Sequence, residues 1–236
     1  MRPTYFVLAL AAVSAAFAVD TQFWSFASRE DYDKSTLKRL SLRSDGRITV
    51  APAAKELHDA GVSYLWAVAR GADGTLYTGG GNPGASKAKL FAVRGGRARV
   101  LAELDGLQIQ SIALDGQGRV YAATAPDGKV FRVAAGGASE VFYDPKAKYI
   151  WSIAFDKAGN LYVATGDQGE IHKVTPQGTG SVFFRTEEEH ARAMAVDGAG
   201  NLIIGTEPGG LIMRVNPAGA GFVLHQAGRR EVTAVA

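Results

Sequence analysis

The sequence predicts an all-β chain folded as a β-propeller of four-stranded blades. Three observations carry that prediction. An internal repeat recurs four times. Glycine is in excess, with 29 in 236 residues against an average usage of about 7%, which favours many tight turns. The first strand of every repeat alternates small with large residues, rather than polar with apolar, so neither of its faces is a water-facing one.

The repeat is read by aligning the chain with itself. Residues 66–80, 110–124, 151–165 and 192–206 superimpose without gaps, and their turn glycines are Gly74, Gly118, Gly159 and Gly200. The intervals are 44, 41 and 41 residues, the longer one absorbing an insertion near Ala85–Lys89. A period of about 40–45 residues with four strands per repeat is that of propeller blades.

In the third repeat, strand a is expected at Tyr149–Phe155, strand b at Asn160–Thr165, strand c at Glu170–Val174 and strand d at Ser181–Arg185. The turns Asp156–Gly159 and Pro176–Thr179 each carry a glycine that can take a positive φ, as tight hairpins need. Pro145, Pro176 and Pro217 are expected in connections, because proline cannot donate to a ladder. In strand a the small set is Ala67/Ala69, Ser111/Ala113, Ser152/Ala154 and Ala193/Ala195. The large set is Trp66/Val68, Gln110/Ile112, Trp151/Ile153 and Arg192/Met194. Alternation sends the two sets to opposite faces, both buried between blades.

Whole blades are therefore expected at about 62–105, 106–146, 147–187 and 188–227. The flanks read as parts of blades. Leu37–Val50 has the pattern of strands b and c around Ser44-Asp-Gly46, and Lys55–His58 matches strand d, completing a part-blade over 37–60. Residues 230–236 match only the opening of a strand a. Two arrangements account for this: a piece of a six- to eight-bladed ring, which the open edges favour, or a five-bladed ring closed by the terminal strand.

Ahead of the propeller (37–236), residues 1–18 read as a secretory leader and 19–36 as a lead-in bearing Phe23, Trp24 and Phe26. Arg2 is the positive start, Phe6–Phe17 the apolar run, and Ala16-Phe-Ala18 a small-x-small cleavage site. The run is shorter than the ~20 residues of a membrane span. The mature chain is thus expected to begin at Val19, to be secreted or periplasmic, and to have no membrane span. Without cysteine it has no disulfide, thiolate zinc site or cysteine nucleophile. The net charge of +3 is small and spread out, so nucleic acid is not an expected partner.

The motif Ala-x-Asp-x-x-Gly-Asn-Leu-Tyr-Val-Ala-Thr at Ala154–Thr165 resembles NHL-type and gluconolactonase-like propellers, and exported bacterial proteins with NHL- or WD-like blades. The resemblance covers about Leu37–Ala236 and implies the propeller fold. Lactonase-like relatives hold a divalent metal in the channel with carboxylate and Asn side chains. This chain departs from that pattern. Asn160 and Asn201 fall in a–b turns, Asn82 in the insertion and Asn216 in a c–d turn.

Columns that stay constant across repeats build the blade, while columns that change polar character are free to meet a ligand. Asp115, Asp156 and Asp197 recur and are expected to cap their own turns; Thr124, Thr165 and Thr206 recur at the end of strand b and are expected to be structural. The variable columns are Tyr64, Gln108, Tyr149, His190, Glu231 and Trp66, Gln110, Trp151, Arg192, Thr233. They lie where strand a begins, beside b–c loops that supply Asp127, Asp167 and Glu207. The candidate ligand-binding set is Tyr64, Trp66, Gln108, Tyr149, Trp151, His190, Arg192, Asp127, Asp167 and Glu207. The reading against it makes Trp66 and Trp151 inter-blade packing. No Gly-x-Ser-x-Gly, metal-ligand spacing or phosphate loop is present. The expectation is a binding or interaction module for a small molecule, glycan or protein, with no cofactor, metal or catalytic residues. The alternative is a lactonase-like hydrolase with a channel metal near Asp127, Asp167 and Glu207. His172 and His225 are expected on outer strands without a role, Glu187–Glu189 as a solvated acidic run, and Lys146 and Lys148 as loop decoration.

Overall fold

The computed structural model describes residues 28, 30–32, 35–53 and 55–236. The leader 1–18, and Phe23, Trp24 and Phe26 of the lead-in, lie outside the described residues. The chain divides into two units, Met1–Lys55 and Glu56–Ala236.

In the first unit the described residues include a short 3-10 turn, Glu30–Tyr32, and one antiparallel pair, β1 (Leu40–Leu42) and β2 (Ile48–Val50). The Ser44-Asp-Gly46 turn joins them, with Gly46 at φ 79° and the Arg47 N–H donating to Asp45 Oδ1. A hairpin thus stands where strands b and c were expected, as a two-stranded sheet of its own. The expected strand d is not there: Lys55–His58 forms no ladder. Pro52 follows β2 closely and offers no N–H to extend the pairing.

The second unit holds four antiparallel sheets of four strands, each a simple meander. The first comprises β3 (Tyr64–Arg70), β4 (Leu76–Gly81), β5 (Lys87–Arg94) and β6 (Arg97–Asp105). The second comprises β7 (Gln108–Leu114), β8 (Val120–Ala125), β9 (Gly128–Val133) and β10 (Ser139–Ala147). The third comprises β11 (Ile150–Phe155), β12 (Leu161–Thr165), β13 (Glu170–Val174) and β14 (Gly180–Arg185). The fourth comprises β15 (His190–Val196), β16 (Leu202–Glu207), β17 (Leu211–Val215) and β18 (Gly221–Gln226). Pro145 falls within β10 rather than in a connection. It sits in the register shift between Tyr143 and Ala147 on an edge strand, where its missing N–H costs no ladder bond.

The first strands of successive sheets, β3, β7, β11 and β15, pack side by side. The small set makes this approach possible and also stitches it. The Ile153 N–H donates to Ser111 Oγ across one interface at 3.1 Å, and Ser152 Oγ donates to the Met194 carbonyl across the next at 3.4 Å.

Both faces of strand b are buried in the middle sheets; strand a, expected buried on both faces, is only partly so there, and β3 is largely exposed because no sheet of this unit covers its outer side. In β8, Val120 and Ala122 belong to the core shared with the first sheet, while Tyr121 and Ala123 belong to the core shared with the third. In β12, Leu161 and Val163 face one way and Tyr162 and Ala164 the other. Three layers of apolar side chains thus separate four sheets.

The recurring turn chemistry is as expected. Asp115, Asp156 and Asp197 each accept backbone N–H bonds from their own turns, and Asp73 does the same for Thr75. Asn160 and Asn201 donate their side-chain amides to Asp156 and Asp197, both at 2.8 Å. Burial raises the Asp115 carboxyl, but bonds from Arg119 and Gln117 outweigh it and hold it below the usual range. Thr124, Thr165 and Thr206 are fully buried; Thr165 Oγ1 donates to the Glu170 carbonyl and accepts the Glu170 N–H, bracing the b–c loop.

Residues 231–236 form no ladder, yet they take up the place of an opening strand a. The side chain of Val232 lies against Gly205, as that of Ile109 lies against Gly79 three repeats earlier. The Val232 N–H donates to the Thr206 carbonyl at 3.2 Å.

Candidate functional site

The variable column at 66, 110, 151 and 192 has a backbone cause. In every sheet the a–b pairing shifts register at that residue: between Leu65 and Ala67, Ile109 and Ser111, Ile150 and Ser152, and Ala191 and Ala193. Each shift is a bulge that leaves Trp66, Gln110, Trp151 or Arg192 without a direct partner on strand b. Bulges of this kind re-aim one side chain and are common at the rims of sheets. Four bulges at equivalent positions deliver four side chains to one end of the molecule.

In the third and fourth sheets those side chains lock together. Tyr149 stacks on Trp151 with ring centroids 5.0 Å apart and planes 14° from parallel. The Arg192 guanidinium carbon lies 3.9 Å from the Trp151 ring centre. Arg192 Nε donates to Glu231 Oε1 at 2.6 Å, with Glu207 Oε2 at 3.5 Å. The Lys148 ammonium lies 4.9 Å from the Tyr149 ring centre. Hydrogen bonding with the Tyr149 hydroxyl, then the charges of Tyr149 and Asp167, raise the Lys148 pKa.

His190 closes the group. Its Nδ1 accepts the Trp151 indole N–H at 3.3 Å and the Asp167 backbone N–H at 3.2 Å. Two donors on one nitrogen require a lone pair there, so the ring carries its proton on Nε2. That nitrogen faces Glu189 Oε1 at 3.5 Å. Gly166 makes the close approach possible: a Cβ there would stand 2.6 Å from the indole nitrogen, 2.7 Å from His190 Nδ1 and 3.1 Å from Tyr149 Cβ.

The structure therefore brings together Tyr149, Trp151, His190, Arg192, Glu207 and the backbone of Asp167. Trp151 does pack between blades, and it also supports half-exposed polar groups. Tyr64 and Trp66 form the same stack, at 5.5 Å and 26°. They are about half exposed, and the equivalents of His190 and Arg192 beside them are Gln108 and Gln110, which supply neither a cation nor an imidazole. The Asp127 side chain lies elsewhere, in a cleft between the b–c loops of the second and third sheets that Asp167 also lines. Among the described residues no group of three His, Cys, Asp or Glu side chains has metal-ligating geometry.

Two features were missed in the sequence. Glu188 is not solvated: its Oε2 accepts the Gly209 N–H at 2.6 Å, tying one d–a connection to the next b–c loop. His172 is buried rather than idle. Tyr143 Oη and His172 Nδ1 are 2.8 Å apart, and His172 Nε2 and Glu170 Oε2 are 3.1 Å apart. Arg185 pairs with the other Glu170 oxygen. Burial pushes the His172 pKa down despite the attraction of Glu170. Burial, then the charges of Glu170 and Asp144, pushes the Tyr143 phenol up. The i, i+2 spacing of Glu170 and His172, which sets both on one sheet face, was the available signal.

No family model and no curated protein matches the chain. Solved structures do. Virginiamycin B lyase from Staphylococcus aureus, in a histidine-to-alanine inactive form with quinupristin, is similar at 16% identity and a TM-score of 0.57, over 78% of this chain and 61% of that one. Regucalcin from Agrobacterium tumefaciens, described as a calcium-binding protein, gives 17% identity and 0.60, over 80% and 66%. A chain of the nidogen/laminin complex gives 19% and 0.61, over 72% and 67%. The chain spans 53–61% of the length of the lyase chains it matches. At these identities the likeness establishes the fold: a β-propeller of the kind that the blade motif resembles.

Proposed function

We propose that the chain is an exported β-propeller that binds a ligand at the end where its first strands begin, through Tyr149, Trp151, His190 and Arg192. Export rests on the leader-like sequence of Met1–Ala18. Binding rests above all on the bulge repeated at Trp66, Gln110, Trp151 and Arg192. A scaffold that breaks its ladder at the same place in four blades holds one variable side chain per blade on a rigid frame. Around Trp151 the aromatic edges, the imidazole Nε2–H and the Arg192–Glu231 pair present donors, acceptors and apolar surface in a fixed array. A small polar molecule, a glycan or a protein loop carries the complementary groups.

The partners of the carboxylates support binding over lactone hydrolysis. Glu207 lies beside Arg192, while Asp127 and Asp167 share their cleft with lysines. A metal-dependent hydrolase would need these carboxylates free and around one ion.

The test uses the three tryptophans, Trp24, Trp66 and Trp151. A Trp24→Phe, Trp66→Phe double variant reports on Trp151 alone. Its fluorescence is titrated with maltotriose, chitotriose and glucono-δ-lactone, and lactone turnover is followed by pH-stat with Ca²⁺ or Zn²⁺. Saturable quenching by one of these, lost in Arg192→Ala, supports the binding reading. Metal-dependent lactone turnover that Glu207→Gln abolishes overturns it.

A further inference from the structure

The cleft between the second and third sheets is a separate candidate site. Its volume is about 830 Å³, within the range of small-molecule pockets. Its walls are the loop at Asp127, the end of β10 with Lys148 after it, and the loop before Glu170. Charge of both signs lines it: Lys129, Lys146 and Lys148 against Asp127, Asp144, Asp167 and Glu170.

Three features distinguish it from ordinary loop surface. The first is backbone strain. Of the five non-glycine residues with positive φ among the described residues, three line this cleft: Asp127 at 57°, Lys146 at 60° and Asp167 at 70°. Such conformations are costly and gather at functional sites. The second is the buried Glu170, 8% exposed, whose carboxylate is oriented by His172 and Arg185. The third is a pair of unused charges. The exposed Asp127 and the partly buried Lys129 make no side-chain hydrogen bond or ion pair among the described residues, although Lys129 contributes electrostatically at Asp144. Asp144 is itself bonded to Lys146 at 2.7 Å.

The lining decides the ligand class by elimination. With three lysines among four carboxylates, neither a multiply charged cation nor a multiply charged anion meets a lining of the opposite sign alone. No aromatic side chain lines the cleft, so a sugar ring finds no stacking surface there. A molecule carrying one ammonium and one carboxylate meets both signs. We propose that this cleft binds a zwitterionic amino acid or short peptide, with its ammonium toward Asp127 and its carboxylate toward Lys129. The cleft adjoins the Trp151 group, sharing Lys148, Gly166 and Asp167 with it, but among the described residues no hydrogen bond, ion pair or ring contact joins Asp127 or Lys129 to Trp151, His190 or Arg192.

The probe is L-alanyl-L-alanine, titrated calorimetrically into the full chain. Binding with Kd below about 1 mM is expected. N-acetylation or C-terminal amidation of the dipeptide is each expected to weaken it by about tenfold or more, as are Asp127→Asn and Lys129→Gln. No heat of binding up to about 10 mM overturns the proposal. So does equal binding of the blocked dipeptides or of glucose. Binding that survives Asp127→Asn and Lys129→Gln but is lost in Trp151→Ala assigns the peptide to the other site and also overturns it. Failure of this test leaves the Trp151 reading to its own fluorescence titration.

Discussion

The guanidinium carbon of Arg192 lies 3.9 Å from the ring centre of Trp151, and the two residues occupy the same position in consecutive blades. Equivalent positions one repeat apart therefore touch, so this column is both an inter-blade contact and a surface. Arg192 is held in place at its other side by Glu231, in the terminal segment.

Arg192→Ala removes the stack and leaves Glu231 and Glu207 without their cation. The expected loss is about 1–3 kcal/mol, from a partly desolvated cation–π contact and an ion pair about one-third exposed or less. For a chain of this length that lowers Tm by about 2–4 °C per kcal/mol. Arg192→Lys is expected to recover only part, because an ammonium lacks the planar face. Calorimetric Tm values for the two variants check this, and full stability in Arg192→Lys contradicts it.

Gly166→Ala is expected to damage the site more than the sheet. The new methyl group meets the indole nitrogen and His190 Nδ1 at 2.6 and 2.7 Å, so one of them must move. Overpacking of this kind costs about 1–3 kcal/mol. A red-shifted Trp151 emission, with far-UV dichroism unchanged, is the expected readout. An unshifted spectrum shows that the group tolerates the methyl.

His172 makes stability depend on pH. Its folded pKa lies below the ordinary 6.5, chiefly through burial, so the unfolded chain binds its proton first. The contribution is intact above pH 6.5 and is lost as pH falls from there through the folded value. The lowered carboxyls of Asp115 and Asp144 act in the same direction, but only below 3.8. Urea unfolding at pH 7.5 and 5.5 is expected to give a lower midpoint at 5.5, and His172→Gln is expected to shrink the difference. An undiminished difference in His172→Gln removes His172 as the cause.

Asp156→Ala tests the hairpin code. It deprives the Asn160 N–H and side-chain amide of their acceptor, both bonds being 2.8 Å. A loss of about 2 kcal/mol is expected for bonds to a charged acceptor. Denaturant unfolding of the variant measures it.

Export is checked by the intact mass of the chain recovered outside the producing cytoplasm. A mature form beginning at Val19 is expected from Ala16-Phe-Ala18. A recovered form that still begins at Met1 contradicts it.

Strand c of the third repeat, read from the sequence at Glu170–Val174, is β13 residue for residue, and the neighbouring strands differ by one residue at their starts. Repetition made this possible: a pattern copied four times averages out local ambiguity. The site was legible as a column of residues and not as a set of contacts. Nothing in the one-letter code marks a bulge, since the extra residue in a strand is visible only against its partner. The sequence alternation therefore could not show that Trp151 meets Arg192, or that Asp127 parts company with Glu207. His172 was passed over because an outer strand is exposed in a single sheet. Its burial comes from Tyr143 of the blade before it, a relation between repeats rather than within one.

The bulge at the head of each first strand separates two jobs that most folds entangle. Everything below it is hairpin and core, written alike in each copy; one residue above it is free to differ. The molecule works as a combination lock with one dial per blade. Dials two blades apart turn independently, while neighbours such as Trp151 and Arg192 are geared together. If this rim binds as proposed, a change of ligand calls for coordinated changes at adjacent dials and leaves the casing untouched.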